Sequence, residues 1–202
     1  IFVNEVISAA AKRFYQTVIL LPYLMSMVIV AYLVYAYLSP NTGLVNAIIR
    51  SLGGGGIEWY SDTVYWPFIL VFVNQWKTIG FSMVLYLASL VGISKEYYEA
   101  AQIDGASKWH QIKSITLPLL KPTMITLLIL NCGRIFRSDF GLFFQVPMNQ
   151  GALYSVTDTL DTFVYRSLME QPNMAMSSAA GFYQSVVCFI CVLLVNGIVR
   201  KV

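Results

Sequence analysis

Four long runs of apolar residues constrain this chain more than any other feature of its sequence. They are Thr17 to Leu38, Tyr65 to Ile93, Ile115 to Phe136 and Ser177 to Val199. The first and last runs contain no charged residue, the second contains only Lys77, and the third contains Lys121 and Arg134 near its two ends. A helix of about 20 residues, rising 1.5 Å per residue, crosses the hydrocarbon core of a bilayer. Each run is therefore long enough to span a membrane.

The composition favours the same class of protein. Hydrophobic residues make up 57% of the 202 residues and charged residues only 11%, whereas an ordinary soluble domain carries about 25% charged residues. A soluble protein with a very apolar core would show runs of roughly 4 to 14 residues. Inside a bilayer, helices satisfy their own backbone hydrogen bonds and open strands do not. The sequence predicts an all-α, polytopic helical membrane protein surrounded by lipid.

The basic residues predict the orientation of the spans. Eight lie at one set of span ends, namely Lys12, Arg13, Lys95, Lys108, Lys113, Lys121, Arg200 and Lys201. Four lie at or near the other ends, namely Arg50, Arg134, Arg137 and Arg166. Because cytoplasmic loops are enriched in Lys and Arg, residues 94–118 are predicted to be a cytoplasmic loop, and residues 39–63 and 138–176 to be extracytoplasmic. No basic cluster interleaved with aromatic residues indicates a nucleic-acid surface.

The predicted cytoplasmic loop has the local signals of a short helix, a turn and a new span. Ser94 is a good N-cap residue, and Glu96 suits the positive end of the helix dipole. Asp104-Gly105 predicts the turn that ends this helix. Since proline is tolerated in the first turn of a helix, Pro118 is predicted to begin the third span. In the outer segment, residues 43–52 ("GLVNAIIRSL") predict a short helix lying on the membrane surface.

A spaced motif in this loop resembles the EAA signature of permease subunits of ATP-binding-cassette (ABC) importers. It reads Glu99-Ala100-Ala101, then Gly105, Ile115 and Leu117-Pro118 at the family's spacing, without a gap. Further stretches, including "YWPFILVFVNQWK", "DFGLFFQVP" and "MSSAAGFYQSVV", resemble the branch that imports oligosaccharides and complex carbohydrates.

The resemblance implies a fold, a function and a set of partners. The fold is that of a type I ABC-importer permease, of which this chain would hold four spans and the tail of a preceding one ("IFVNEV"), lacking its N-terminal part. The implied partners are a second permease subunit forming a heterodimer, two ATP-binding subunits and an extracytoplasmic solute-binding protein. ATP and magnesium would bind the partner ATPase, with no cofactor or catalytic residue on this chain. The expected location is the cell (plasma or inner) membrane, and the expected cargo is an oligosaccharide.

The resemblance also assigns roles within the loop. Residues 97–109 correspond to the coupling helix that docks in a groove of the ATPase. Glu99 would supply a charge contact, Ala100 and Ala101 a close approach, and Gly105 the turn. The full set of expected coupling residues is Tyr97, Glu99, Ala100, Ala101, Asp104, Gly105 and Trp109.

Polar residues inside the spans are candidates for the substrate pathway. They are Asn74, Gln75, Lys77, Asn131, Arg134, Tyr183 and Gln184. Polar and ionisable groups at membrane depth face either an aqueous path or a partner side chain, so the alternative is a set of interhelical braces, such as Lys77 paired with a carboxylate. The single histidine, His110, and the three cysteines do not form a metal-ligand pattern. Ser177, Gly181 and Ser185 form a small-residue stripe that predicts close helix packing.

Three other functions remain as alternatives. An ABC permease for a non-sugar solute would carry the same EAA loop. A channel or secondary transporter would not need that loop. An intramembrane enzyme would need paired acids, a metal cluster or an activated nucleophile, and Asp and Glu are absent from the interiors of all four predicted spans.

Overall fold

The first apolar run is broken near its middle. The computed structural model describes residues 9–133, 135–170 and 173–199, and in it α1 (Ala9–Leu24) and α2 (Met27–Leu38) are bent by 96° relative to each other. The prediction of one continuous span from Thr17 to Leu38 is therefore wrong. Ser26 begins a new helix, because its hydroxyl accepts a hydrogen bond from the N–H of Ile29 at 3.4 Å, as an N-cap does.

The other three predicted spans are confirmed as long apolar helices. They are α4 (Trp66–Val91), a continuous helix over Lys108–Cys132, and α10 (Met174–Val199). By length and composition each can cross a membrane, and the bent α1–α2 pair is long and apolar enough to be a fourth span. The tail of a preceding span predicted for residues 1–6 lies outside the described residues, as do Arg200 and Lys201.

The third span begins earlier than its proline. It starts with α6 (Lys108–Gln111), passes through a π-helical segment (Ile112–Thr116) and continues as α7 (Leu117–Cys132). The prediction that Pro118 begins this span is wrong, and so is its extension to Phe136. Proline lacks an N–H, and in a regular helix its ring crowds the preceding turn. The wider π turn, in which the N–H of Leu117 bonds the carbonyl of Ile112, lets the helix pass through this position.

A core forms at one end of the spans, where three separate parts of the chain meet. It combines α2, the first half of α4, and the segments 57–66 and 141–153, and its fully buried side chains include Val30, Trp66, Val146 and Leu153. We name it the outer core, because both segments lie largely in parts of the sequence that are predicted to be extracytoplasmic. Tyr60 lies in this core, where burial and then the neighbouring Tyr35 raise the pKa of its phenol above the usual range. The phenol therefore stays protonated and donates to the carbonyl of Val146.

The first segment that is predicted to be outer, residues 39–63, contains the predicted short helix, α3 (Leu44–Ser51). Its apolar residues Leu44 and Ile48 are exposed, as is Leu52 after it, which suits a helix lying on a membrane surface. The opposite face carries Asn46, which is 1% exposed. Its amide donates to the carbonyls of Pro40 and Ile57 and accepts from the N–H of Ile57 and the indole of Trp59. Asn46 thus organises the whole loop.

The second segment that is predicted to be outer, residues 138–176, contains α8 (Tyr154–Thr157) and α9 (Leu160–Met169). Helix α10 packs on α9, where the buried Ser177 donates to the carbonyl of Val164 at 3.0 Å. At Gly181, an added Cβ would meet no atom of the described chain within 4 Å. The predicted small-residue stripe therefore packs through Ser177 within this chain, and not through Gly181.

Candidate functional site

The loop at residues 94–118, which the sequence predicts to be cytoplasmic, begins with a helix whose two ends are defined by local hydrogen bonds. Helix α5 (Lys95–Ile103) is capped by Ser94, which accepts from the N–H of Glu96. At the other end the N–H of Ala106 bonds the carbonyl of Ala101 at 2.8 Å, and the N–H of Gly105 bonds that of Gln102 at 3.0 Å. This pair of bonds is a Schellman motif, which requires a left-handed residue. Gly105 supplies it with φ of +74°, as the sequence predicted.

The loop is joined firmly to the third span. Ser107 caps α6 by accepting from the N–H of His110, and the buried Gln111 donates to the carbonyl of Ala106 at 3.0 Å. The hydroxyls of Tyr98 and Thr116 lie 2.9 Å apart, which links α5 to the π-helical segment. Hydrogen bonds thus connect α5 and the turn after it to the long apolar helix over Lys108–Cys132.

This loop exposes three large apolar side chains among charged and polar ones. Tyr97 is 58% exposed, Ile103 87% and Trp109 75%. Expected coupling residues share this exposure: Glu99, Ala100, Asp104 and Gly105 are exposed and Ala101 is half-buried. Exposed apolar patches rimmed by polar residues mark protein interaction sites. Ile103 was not among the expected residues, although its position just before the Asp104-Gly105 turn could have indicated it.

The polar residues of α4 have different surroundings. Asn74 is half-buried and lines a groove of about 300 Å³ with apolar residues of α4 and of segment 142–156. Gln75, one residue along, is exposed. Lys77 is half-buried, and its ammonium lies 3.3, 3.2 and 2.5 Å from the carbonyl oxygens of Pro22, Tyr23 and Met25. Its partners are thus carbonyl groups of α1 and the bend, and not the carboxylate that the brace alternative suggested.

Tyr183 and Gln184 lie side by side on α10 and face in different directions. Tyr183 is 60% exposed, whereas Gln184 is 6% exposed. The amide of Gln184 donates to the carbonyl of Phe136 at 2.6 Å and to Asp161 Oδ2 at 3.1 Å. The same carboxylate oxygen accepts from the N–H and the hydroxyl of Ser138. Gln184 therefore belongs to a polar network that joins α9, α10 and the end of the third span.

The remaining candidates lie near the end of the third span. Asn131 is exposed in the last turn of α7, and Arg134 lies outside the described residues. Asp139 accepts from the N–H of Leu142 at 3.1 Å. Within the ranges that the structure describes, no group of His, Cys, Asp and Glu is arranged to hold a metal ion.

The geometry divides the candidates into two sets. Asn74, Gln75, Asn131 and Tyr183 have side chains that are exposed or line a groove, and all four lie in the half of their helices nearer the outer core. The N–H groups of the Lys77 and Gln184 side chains donate to oxygen atoms of this chain. The first set could contact a polar solute, and the second set connects structural elements.

The sequence matches one protein family along its entire length. The family model is described as "Binding-protein-dependent transport system inner membrane component", and it matches residues 1–202. Protein LplB of Bacillus subtilis (strain 168) is 36% identical over 202 residues, covering 100% of this chain and 63% of LplB. The polygalacturonan/rhamnogalacturonan transport system permease protein YteP of the same organism is 32% identical over 201 residues. The chain spans 62% of the length of YteP.

The fold matches solved transporter structures. A chain of a bacterial ABC transporter involved in the import of the acidic polysaccharide alginate superposes with a TM-score of 0.92 at 34% identity, covering 100% of this chain and 70% of that one. A further structure is of a bacterial alginate ABC transporter in complex with an alginate pentasaccharide-bound periplasmic protein, and it matches with a TM-score of 0.91. At this identity the likeness extends to sequence as well as to fold.

Proposed function

The chain belongs to the family of binding-protein-dependent transport system inner membrane components, and on that premise we propose that it is a membrane-spanning subunit of an ATP-driven oligosaccharide importer. In this role it forms part of the translocation pathway and couples it to ATPase subunits in the cytoplasm. The family is one of transport permeases, so the chain itself is a permease and not an enzyme.

One observation carries this proposal, namely the construction of the cytoplasmic loop. Two exposed apolar side chains, Tyr97 and Ile103, lie on α5, which ends before a left-handed glycine, and a third, Trp109, lies on α6 beyond that turn. Helix α5 is hydrogen-bonded to the third span through Tyr98 and Thr116. A surface of this kind receives a partner, and its links transmit the partner's movement to the membrane helices. A channel or secondary transporter would not need such a loop.

The substrate pathway is proposed to run along the exposed polar residues of the outer half. Asn74 and Gln75 on α4, Asn131 on α7 and Tyr183 on α10 offer amide groups and one aromatic ring. Amides hydrogen-bond to sugar hydroxyls, and a phenol ring provides an apolar face with a polar tip. Arg134 remains in the proposed set of pathway residues because of its position in the sequence.

The proposed cargo is an oligosaccharide that carries carboxylates. The alginate transporter imports an acidic polysaccharide, and Arg134 and Arg137 near the outer end of the third span would suit uronate groups, because guanidinium pairs bidentately with carboxylate. The alternative cargo is a non-sugar solute, which the same coupling loop would serve equally well.

The proposed assembly follows the family pattern. It contains a second permease subunit, two ATP-binding subunits that hold ATP and magnesium, and an extracytoplasmic solute-binding protein such as the periplasmic protein of the alginate complex. The EAA loop, at residues 94–118, faces the cytoplasm in this arrangement, and residues 39–63 and 138–176 face the opposite side.

Co-purification tests this assembly. The full-length protein, tagged and extracted from its native membrane, is expected to bring down an ATPase and a second permease in fixed proportion. Trp109→Ala, which removes an exposed side chain of the loop, should reduce recovery of the ATPase and leave recovery of the second permease unchanged. Isolation of the protein without any ATPase would contradict the proposal and favour a channel or a secondary transporter.

A further inference from the structure

At the bend between α1 and α2, carbonyl groups lose the partners that a continuous helix would provide, and the carbonyl of Pro22 accepts instead from the N–H of Met25 at 3.3 Å. The last carbonyls of any helix have no N–H from a following turn, and α1 ends at Leu24 because the chain turns at Met25 and Ser26. In water such groups are solvated, but within a bilayer each unsatisfied group is unfavourable by several kcal/mol. The position of this bend inside an apolar run therefore demands an internal donor.

Lys77 is that donor. Its ammonium has three N–H groups, and three carbonyl oxygens, of Pro22, Tyr23 and Met25, lie within 3.3 Å of it. The number of donors equals the number of acceptors, so no N–H of Lys77 is left over for a transported solute. The charge also suits the position, because the C-terminal end of a helix carries a partial negative charge.

Contacts on either side keep α1 against α4 at this point. The rings of Tyr23 and Phe81 are stacked with centroids 4.8 Å apart, and the absence of a side chain at Gly80 lets the backbone of Ile19 approach α4 closely. Beyond the bend, α2 enters the outer core through Val30 and Val34. The place where Lys77 binds thus determines the direction in which α2 leaves α1.

We propose that Lys77 is a tethered cation. Its ammonium fills a three-carbonyl site for a monovalent cation at the end of α1, and by filling that site it holds the bend that directs α2 into the outer core. In membrane proteins with broken helices, exposed carbonyls of this kind coordinate free cations. Here the protein provides the cation from its own side chain. Lys77 is a positioning residue in this account, and the proposal does not depend on the identity of the cargo.

Shortening the side chain tests the proposal by chemical rescue. The full-length protein, with whatever subunits co-purify, is placed in lipid nanodiscs as Lys77→Ala, Lys77→Met and Lys77→Arg, with Lys121→Met as a control that removes an exposed charge of α7. Lys77→Ala should melt several degrees below the control and recover saturably as methylammonium is added. Tetramethylammonium, which has no N–H, should not restore stability at equal ionic strength. Lys77→Met should not respond to either cation, because its side chain occupies the space.

A distance measurement tests the bend itself. Spin labels at Val18 on α1 and Tyr32 on α2, both exposed, report the angle between the two helices when the three native cysteines are replaced. In Lys77→Ala the distance distribution should broaden, and methylammonium should narrow it again. Neither readout requires transport, so failure of this proposal is distinguishable from failure of the proposed function.

Several results would overturn the tethered cation. One is a Lys77→Met protein that has the same melting temperature as Lys121→Met and an unchanged distance between the labels on α1 and α2. Another is equal recovery of Lys77→Ala with methylammonium and tetramethylammonium, which would indicate a general salt effect. If neither Lys77→Ala nor Lys77→Met assembles, Lys77→Arg is the deciding variant. Assembly of Lys77→Arg supports the need for a cation at this position. Failure of Lys77→Arg to assemble contradicts the proposal that a cation at this position is sufficient.

Discussion

The backbone of Ile19 on α1 lies directly against Gly80 on α4. A Cβ added to Gly80 would be 2.3 Å from the carbonyl oxygen of Ile19 and 2.7 Å from the Cα of Leu20. Both atoms belong to the main chain and cannot rotate away, so the two helices can be this close only because residue 80 has no side chain. Small residues at helix contacts have this role in membrane proteins.

Gly80→Ala is therefore expected to push α1 away from α4 and to destabilise the protein by about 1–3 kcal/mol, as overpacking does. The matched control is Gly181→Ala on α10, where an added Cβ meets nothing within 4 Å of the described chain. The two variants are compared by thermal unfolding in detergent, which is monitored by size-exclusion chromatography. Equal melting temperatures would show that α1 and α4 are not in such close contact.

The second prediction concerns the turn of the coupling loop. Gly105 has φ of +74° and donates its N–H to Gln102. Proline fixes φ near −65° and has no N–H, so Gly105→Pro should disrupt the loop and abolish substrate-stimulated ATP hydrolysis, with the protein still inserted in the membrane. Gly105→Asn should retain most of the activity, because asparagine tolerates the left-handed region.

Gly92→Ala is the control for this pair. Gly92 lies at the end of α4 with φ of −73°, and an added Cβ there would be 3.4 Å from its nearest neighbour. Full uptake and full substrate stimulation in Gly105→Pro would remove the basis for a coupling role of the loop.

The polar network around Asp161 leads to a third prediction. Asp161→Ala removes the acceptor for the N–H and hydroxyl of Ser138 and for the amide of Gln184. The amide of Gln184 and the hydroxyl of Ser138 keep acceptors at Phe136 and Thr159, so only the N–H of Ser138 loses its partner. An unsatisfied donor is unfavourable by about 1–3 kcal/mol, and the protein should lose stability in that range. Glu58→Ala, which removes an exposed carboxylate, is the control. Similar unfolding curves for the two variants would contradict the structural role given to Gln184.

A fourth prediction concerns the first outer segment. Asn46→Asp replaces an amide that donates to two carbonyls with a group that repels them. Residues 40–60 should then exchange their amide hydrogens faster, while exchange in α10 stays unchanged. Asn41→Asp, at an exposed position, should leave the exchange of both regions as in the wild type. Equal amide exchange rates for residues 40–60 in the wild type, Asn46→Asp and Asn41→Asp would show that Asn46 does not organise the loop.

The parts of the fold that depend on local sequence could be predicted. Apolar runs located the spans because hydropathy is a property of each segment by itself. The turn at Gly105 was predictable for the same reason, since Asp-Gly followed by a polar stretch is a local signal. The bend at Met25 and Ser26 was not, because it involves Lys77 in addition to the local cap at Ser26. Lys77 is far away in the sequence, and its partner atoms belong to the main chain.

The residues of the candidate site could be predicted from the sequence, but the directions in which their side chains face could not. Tyr183 and Gln184 are neighbours with similar polarity, and only the rotation of α10 decides that one is exposed and the other is bonded to Asp161. The rotation is set by packing against α7 and α9, which a single sequence does not display. Asp161 was missed because it lies in a predicted outer segment, where a carboxylate is common.

ATP-dependent uptake is the measurement that tests the central claim most directly. The full-length protein is reconstituted into liposomes with its co-purifying subunits and a solute-binding protein, and a labelled uronate-containing oligosaccharide is supplied on the side of the binding protein. The account predicts accumulation that requires ATP and magnesium and that is lost in Gly105→Pro, although that variant is still inserted in the membrane. Accumulation that does not need ATP, or uptake of an amino acid in preference to any glycan, would contradict it.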